Sequence, residues 1–243
     1  MSGQDADVTS RFSERILRLL ERVEHRVAKT PAEKEAVYRL RYEAYIRNGL
    51  IEARDDERLR DQRYDDAANT WITATFIDGE LAATTRVNFG NSEGAILPSL
   101  FVFSDVILPH LRAGRVIVDF TRAAARLEAS KRYPELPYIA LRPGYMAAEH
   151  FDAHFAVATA RAEHLAFYRR VFHFVPWCEP RFYPNVTAKI ACMGAEFHAV
   201  RDRIETRHPF FCSTAAEREA LFGPAPPHRP VSPLPEYEPL VGA

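Results

Sequence analysis

The sequence predicts a mixed α/β or α+β fold in a single domain, and three observations carry that prediction. Hydrophobic periodicity switches along the chain between helical and strand spacing, ordering the elements as strand, helix, hairpin, strand, helix, strand, helix, hairpin. Asp78-Gly79 separates two apolar runs, the turn signal of a two-residue hairpin. The chain has 243 residues, 47% hydrophobic and 27% charged, enough for a sizeable core and ordinary for a globular protein.

Each element has a local reason. Phe12, Ile16, Leu19, Leu20 and Val23 fall at helical spacing and predict an amphipathic helix over 10–22. A short strand follows at 24–29. Thr30, Pro31 and Glu33 form a capping box with proline at the first helical position, so a helix starts there and runs to Asn48, before Gly49. Residues 51–70 are charge-dense and predict a long loop or a short helical turn. WITATFI and ELAATTRVNF are the two hairpin strands. Residues 91–114, with Pro98 and Pro109, predict a turn and short helices, and VIVDFTRAAA the next strand. A helix over 137–152 is expected to kink or restart at Pro143-Gly144. Then come a strand at 154–160, a helix at 163–172, strands near 173–178 and 186–193, and a helix over 195–206. From Pro224 the chain holds seven of its 17 prolines, predicting an extended tail over 224–243 after a domain over 1–223.

Composition excludes some functions. A net charge of −1 argues against non-specific nucleic-acid binding, which needs a basic excess. No apolar run approaches the roughly 20 residues that span a bilayer, and MSGQDADVTSRF lacks the regions of a signal peptide. Three cysteines without ligand spacing suit reduced thiols, so a soluble cytoplasmic protein is expected. GNSEG (90–94) matches a nucleophile elbow literally, but proline interrupts the helix that should follow. His150 and His154 are four apart but lack a third ligand, so no metal is expected.

The informative feature is charge on elements that should be buried. On the helix at 31–48, Arg41 shares the apolar stripe of Val37, Ala44 and Tyr45. On ELAATTRVNF, Arg86 faces the side of Ala82, Thr84 and Asn88, where small neighbours leave room for a guanidinium or a ligand. On VIVDFTRAAAR, Asp119 and Thr121 face one side and Arg122 the other, unless a bulge re-aims them. The loop adds Asp65 and Asp66. One alternative is a structural ion pair between Asp119 and an arginine; the other is a cleft that binds a polar substrate and removes a proton. The aromatic cluster over 167–183 is either core or the wall of an acyl tunnel.

Four motifs in order, Leu40 to Tyr45 (LRYEAY), Tyr64-Asp65, Gly79 to Arg86 (GELAATTR) and Asp119 to Arg122 (DFTR), resemble the autoinducer-synthase superfamily, and most closely the long-chain N-acyl amino acid synthases. The resemblance covers about residues 24–194, where HFAVATARAEHLAFYRRVFHF also looks like the strand–helix–strand that closes acetyltransferase-type (GNAT) folds. It implies one GNAT-like domain with a central mixed, mostly antiparallel twisted sheet flanked by helices. It implies transfer of a long-chain fatty acyl group from an acyl carrier protein thioester to an amino acid's α-amine. No cofactor is implied beyond the donor's acyl-phosphopantetheine thioester.

Carried over by position, Arg41, Tyr45, Asp65, Arg86 and Arg122 would bind substrate. Asp119 would stand for the family's glutamate base, Thr121 for its serine, and Tyr168 for the tyrosine acid of GNAT relatives. The chemistry agrees: an ammonium must lose a proton before attacking a thioester, and a substrate carboxylate suits a planar bidentate donor. Aspartate is a methylene shorter than glutamate, so a bridging water is expected. Arg60 and Gln62 replace acids of the homoserine-lactone synthases. The segment AAARLEASKRYPELP lacks the glycines that cradle a CoA pyrophosphate, and Arg126, Lys131 and Arg132 could instead contact an acidic carrier protein. The rival expectations are an acyl-homoserine-lactone synthase, an acyl-CoA-dependent N-acyltransferase, and a lipid- or partner-binding module without activity.

Overall fold

The computed structural model describes residues 3–224. The tail expected from Pro224 therefore lies, beyond Pro224 itself, outside the described residues.

The elements in chain order are α1 (Gly3–Leu20), β1 (Val23–Val27), α2 (Pro31–Arg47), α3 (Gln62–Asp65), β2 (Thr70–Ile77), β3 (Glu80–Asn91), β4 (Gly94–Ala95) and α4 (Leu100–Arg112). Then follow β5 (Ile117–Ala125), α5 (Leu127–Arg132), α6 (Leu136–His150), β6 (Phe155–Arg161), α7 (Leu165–Phe172), β7 (Val175–Pro176), β8 (Arg181–Phe182), β9 (Lys189–Glu196), α8 (Phe197–Arg207) and α9 (Ala215–Phe222). They build one open sheet in the order β1-β2-β3-β5-β6-β9-β7, with β4 beside β3 and β8 beside β9. Every pairing is antiparallel except β5 with β6. This is the mixed, mostly antiparallel sheet flanked by helices that the family resemblance implies.

The local signals act as expected. Thr30 Oγ1 accepts the Glu33 N–H at 3.2 Å while Glu33 Oε2 accepts the Thr30 N–H at 3.0 Å, closing the capping box of α2. Asp78 and Gly79 both have positive φ (52° and 80°), the conformation a type I′ hairpin turn requires. GNSEG is a hairpin instead of an elbow: Asn91 Oδ1 accepts the N–H groups of Glu93 and Gly94, and β4 folds back on β3. The helix α6 does not restart at Pro143-Gly144 but continues to His150. The Thr85 hydroxyl donates to the Ala140 carbonyl at 2.7 Å, beside the carbonyl that Pro143 leaves without its usual donor. The helices α5 and α9 go beyond the sequence reading.

The two faces of the sheet carry different cores. Phe120, Val87 and Phe89 pack with α1, α6, α7, α8 and α9 in the larger core. Ile117 and Val157 pack under α4, and Val37, Tyr38 and Leu40 of α2 cover the rest of that second face. No helix among the described residues is long and apolar enough to cross a membrane.

Candidate active site

The sheet opens where its one parallel pair ends. Ile117 to Phe120 of β5 pair with Phe155 to Ala158 of β6, and past Phe120 no bridge joins the two strands. A cavity of about 600 Å³ fills the wedge, within the usual size of small-molecule sites. On the α6–α7 side its wall is apolar, with Phe120, Leu136, Ala140, Leu141, Phe167 and Tyr168. On the α2 side the wall carries Arg86, Thr121, Arg122, Tyr45 and Tyr183.

A bulge aims Arg122 at that polar side. Thr84 pairs with Ala124 and Arg86 with Thr121, so Arg122 and Ala123 together oppose Thr85 alone. Arg122 takes a left-handed backbone, φ 54°, which costs a non-glycine residue roughly 1–2 kcal/mol. Its guanidinium lies 5.5 Å from the centre of the Tyr45 ring and 3.6 Å from Asp61 Oδ2. Strict alternation would send Arg122 to the opposite face from Thr121; the extra residue brings both to one side.

Behind the polar wall lies a buried charge cluster. Asp65 Oδ1 accepts from Arg41 Nη1 at 2.9 Å and from Arg86 Nη1 at 3.2 Å, and Asp65 Oδ2 accepts the Asp61 N–H at 2.8 Å. Burial pushes the Asp65 carboxyl up, but Arg41 and Arg86 outweigh it and hold it down at about 2. Arg86 Nε donates to Thr121 Oγ1 at 3.2 Å, joining the cluster to the cavity. Three guanidiniums (Arg41, Arg86, Arg122) thus meet two carboxylates (Asp61, Asp65). Of these three arginines, Arg86 and Arg122 line the cavity.

Asp119 pairs in register with Asn88 and is fully buried. Its Oδ2 accepts the Ser99 N–H at 2.9 Å at the start of α4, and its Oδ1 has no hydrogen-bond partner among the described residues. Burial raises its pKa to about 6, against the Ser99 hydrogen bond and the nearby Arg86. Tyr168 lines the cavity, stacked on Phe174, and burial pushes its hydroxyl well above the usual tyrosine range.

The structure therefore brings Tyr45, Arg86, Thr121, Arg122 and Tyr168 to one cavity. It does not bring Arg41 or Asp65 to the wall: Asp65 pairs with Arg41 and with Arg86, and the two stand behind the cavity-lining residues. Asp119 also stands off the wall, two residues behind Thr121 on the same face. Arg126, Lys131 and Arg132 are exposed at and on α5, whose Leu127 and Ser130 line the cavity; Lys131 is spent on Glu128 at 3.1 Å. Of the aromatic cluster, Phe167, Tyr168 and Tyr183 reach the cavity, Phe172 and Phe174 are core, and Phe182 is 73% exposed. His150 packs against Phe151 and Phe222, and His154 Nδ1 accepts the Val116 N–H.

Sequence reasoning missed Asp61 and Ser99. Asp61 lies four residues before Asp65 in the same charged loop, and Ser99 stands just before an apolar helix, where a cap residue is expected.

The family profile of the N-acyl amino acid synthase FeeM matches residues 36–196. Among curated proteins, none matches the chain by sequence. Among solved structures, FeeM, an N-acyl amino acid synthase from uncultured soil microbes, superposes with a TM-score of 0.64 at 14% identity, covering 76% of this chain and 97% of its own. The CoA-dependent acyl-homoserine lactone synthase BjaI, with SAM and isopentyl-CoA, gives 0.52 at 15% identity, covering 82% of this chain and 97% of its own. A second such synthase, MesI, gives 0.50 at 15%, covering 80% and 97%. At these identities the structural likeness speaks for the fold, that of GNAT-like acyltransferases.

Proposed function

Because this chain belongs to the N-acyl amino acid synthase FeeM family and is an N-acyltransferase, we propose that it moves a long-chain fatty acyl group from an acyl carrier protein thioester to the α-amine of an amino acid. The observation that carries this reading is the two-sided cavity between β5 and β6, apolar against α6 and α7 and cationic against α2. The acyl chain takes the apolar side. The amino acid's carboxylate meets the cationic wall, where Arg122 and Arg86 offer planar donors.

The reaction joins the amine nitrogen to the thioester carbonyl carbon and expels a thiolate. The ammonium must first lose a proton. Asp119, with its pKa near neutrality, has the affinity to take it. Because Asp119 stands behind Thr121, the proton passes through Thr121 or a bridging water. Backbone N–H groups at the wedge, where β5 and β6 no longer pair, can receive the oxyanion. The departing thiolate needs a proton, and Tyr168, protonated at neutral pH and lining the cavity, supplies it; the second proton shed by the attacking nitrogen as the tetrahedral adduct collapses restores the tyrosine.

The cavity mouth favours a carrier protein as the donor. The chain turns from β5 into α5 without a glycine, through Arg126, and no phosphate nest is evident there. Arg126 and Arg132 are exposed beside the cavity-lining Leu127 and suit an acidic carrier. The test is mass spectrometry of lipid extracts from cells expressing the chain, alongside purified protein given acyl-carrier-protein and acyl-CoA donors. New N-acyl amino acids, absent with Arg86→Ala at equal folded yield, support the proposal. Products from acyl-CoA alone would replace the donor, and consumption of S-adenosylmethionine would replace the acceptor.

A further inference from the structure

One peptide group joins the cavity wall to Asp119. The Ser99 N–H that Asp119 Oδ2 accepts at 2.9 Å belongs to the Pro98–Ser99 amide, and the carbonyl of that same amide accepts the Tyr183 hydroxyl at 2.9 Å. No peptide among the described residues is cis, so this C=O and N–H point in opposite directions from one rigid plane. Tyr183, in the cavity wall, therefore holds one end of a dipole whose other end meets the buried carboxylate.

The chain around Tyr183 is fastened to α4, the helix that Ser99 starts. Two N–H groups of Arg181 donate to the two Asp105 oxygens, each at 2.7 Å, and Arg181 also donates to the Val102 carbonyl at 3.0 Å. The Tyr183 ring lies 5.9 Å from that of Phe101. The Pro98 carbonyl accepts the Phe101 N–H as well, at 3.2 Å, so the first turn of α4 has a bond of its own. What the hydroxyl adds is polarisation. Hydrogen bonds in a chain strengthen one another, by about 10–30% per bond, and a stronger N–H donor favours the ionised form of the acid it serves.

We propose that Tyr183 is a positioning residue for proton transfer: through the Pro98–Ser99 amide it sets how readily Asp119 takes the ammonium's proton. The ionisable groups that face Asp119 are Arg86 from β3, Cys192 from β9 and Tyr183 from the β8–β9 segment, while its register neighbours Asn88 and Val157 do not ionise. Arg86 stays a cation, and burial pushes the Cys192 thiol and the Tyr183 phenol well above their usual ranges. Of these groups only Asp119 changes charge between pH 4 and 8. The proposal rests on the acyl-transfer reading for its kinetic readout, while unfolding reads the same coupling without turnover.

The experiment compares the full chain with Tyr183→Phe, Asp119→Asn and the doubly substituted form. The rate constant kcat/KM is followed from pH 5 to 8, and urea unfolding is measured at pH 4 and pH 7. Tyr183→Phe keeps the ring and weakens the Ser99 donor, so the rise of kcat/KM should move up by about 0.5 pH unit, a threefold gain in proton affinity. Folded Asp119 then favours its proton still more over the unfolded chain. Tyr183→Phe should therefore cost ~0.7 kcal/mol more at pH 7 than at pH 4, an excess that vanishes when residue 119 is asparagine. A fluorinated tyrosine at 183, the same in shape but a stronger donor, should move the midpoint down instead, and it decides the matter if Tyr183→Phe does not fold. An unmoved midpoint with a raised KM makes Tyr183 a substrate contact alone, and an equal loss of stability at both pH values makes it packing alone; either result overturns the proposal. A chain that makes no N-acyl product but keeps the pH-dependent excess overturns the transfer reading and supports the coupling of Tyr183 to Asp119.

Discussion

The Asp119 carboxylate receives the Ser99 backbone N–H at 2.9 Å through one oxygen and leaves the other buried without a partner among the described residues. Only one of its oxygens is compensated, which is why burial wins and its pKa rises to about 6.

That imbalance predicts opposite effects on stability and activity. Asp119 binds its proton more tightly folded than unfolded, so stability is highest below the unfolded value near 4 and falls as pH rises to about 6. At neutral pH the cost is about 3 kcal/mol, since each tenfold gain in proton affinity is worth ~1.4 kcal/mol. Asp119→Asn should therefore raise the urea midpoint at pH 7 and change little at pH 4. The variant should also lose the rise of kcat/KM with pH centred near 6. A wild-type profile flat from pH 5 to 8 would remove Asp119 from proton transfer.

Asp65 should behave in the reverse sense. Its folded pKa lies below the unfolded one, so its contribution is present above pH 4 and is lost as pH falls through about 2. Removing its charge with Asp65→Asn leaves Arg41 and Arg86 buried against each other, and breaking such a pair costs about 3–5 kcal/mol. Adding Arg41→Met should recover part of that loss, measured by urea unfolding of the single and double variants. Equal stability of wild type and Asp65→Asn would show the cluster to be no support for Arg86.

These residues also show which parts of the molecule are legible in sequence. Thr30 with Glu33 and Asp78 with Gly79 act over two to four residues, so their outcome is fixed locally and is readable. The capping box Thr214–Glu217 that starts α9 is an equally local signal and could have revealed that helix. Arg41, Arg86 and Asp119 stand out because a charge on an apolar stripe or strand is costly wherever the chain puts it. Their partners are not readable in the same way. That Asp65 lies between two arginines, or that Arg122 turns to the side of Thr121, depends on the β3–β5 register, and the bulge opposite Thr85 appears only when both strands are in place. The division of roles between Arg86 at the wall and Arg41 behind it likewise needed the cavity.

Tyr168→Phe isolates the leaving-group step. Its ring packs on Phe174 and Phe120, and among the described residues nothing accepts a hydrogen bond from its hydroxyl, so stability should change by less than about 0.5 kcal/mol. If the hydroxyl protonates the thiolate, kcat should fall about 100-fold with KM for the amino acid unchanged. Steady-state kinetics with a thioester of a more acidic thiol should recover much of the rate, because that thiolate departs without help. Equal rates for wild type and Tyr168→Phe on the natural donor would assign the tyrosine to the core alone.

Arg122→Gly sets strain against binding at one position. Arg122 holds a left-handed φ of 54°, and glycine adopts that conformation without the steric cost. Arg122 also carries its guanidinium to Asp61 at 3.6 Å beside the cavity, a part-buried ion pair with side chains 16% and 28% exposed. Relief of roughly 1 kcal/mol of strain is offset in part by glycine's greater freedom in the unfolded chain, so Tm should stay within about 4 °C of wild type. Binding has no such compensation. Loss of hydrogen bonds to a substrate carboxylate, about 1.5–3 kcal/mol, should raise KM for the amino acid about 10- to 100-fold while KM for the acyl donor stays constant. Arg122→Ala should show the same KM effect with a lower Tm than Arg122→Gly, because alanine keeps the strained φ without the arginine's contacts. A rise in donor KM instead would move Arg122 from the amino acid's carboxylate to the thioester arm.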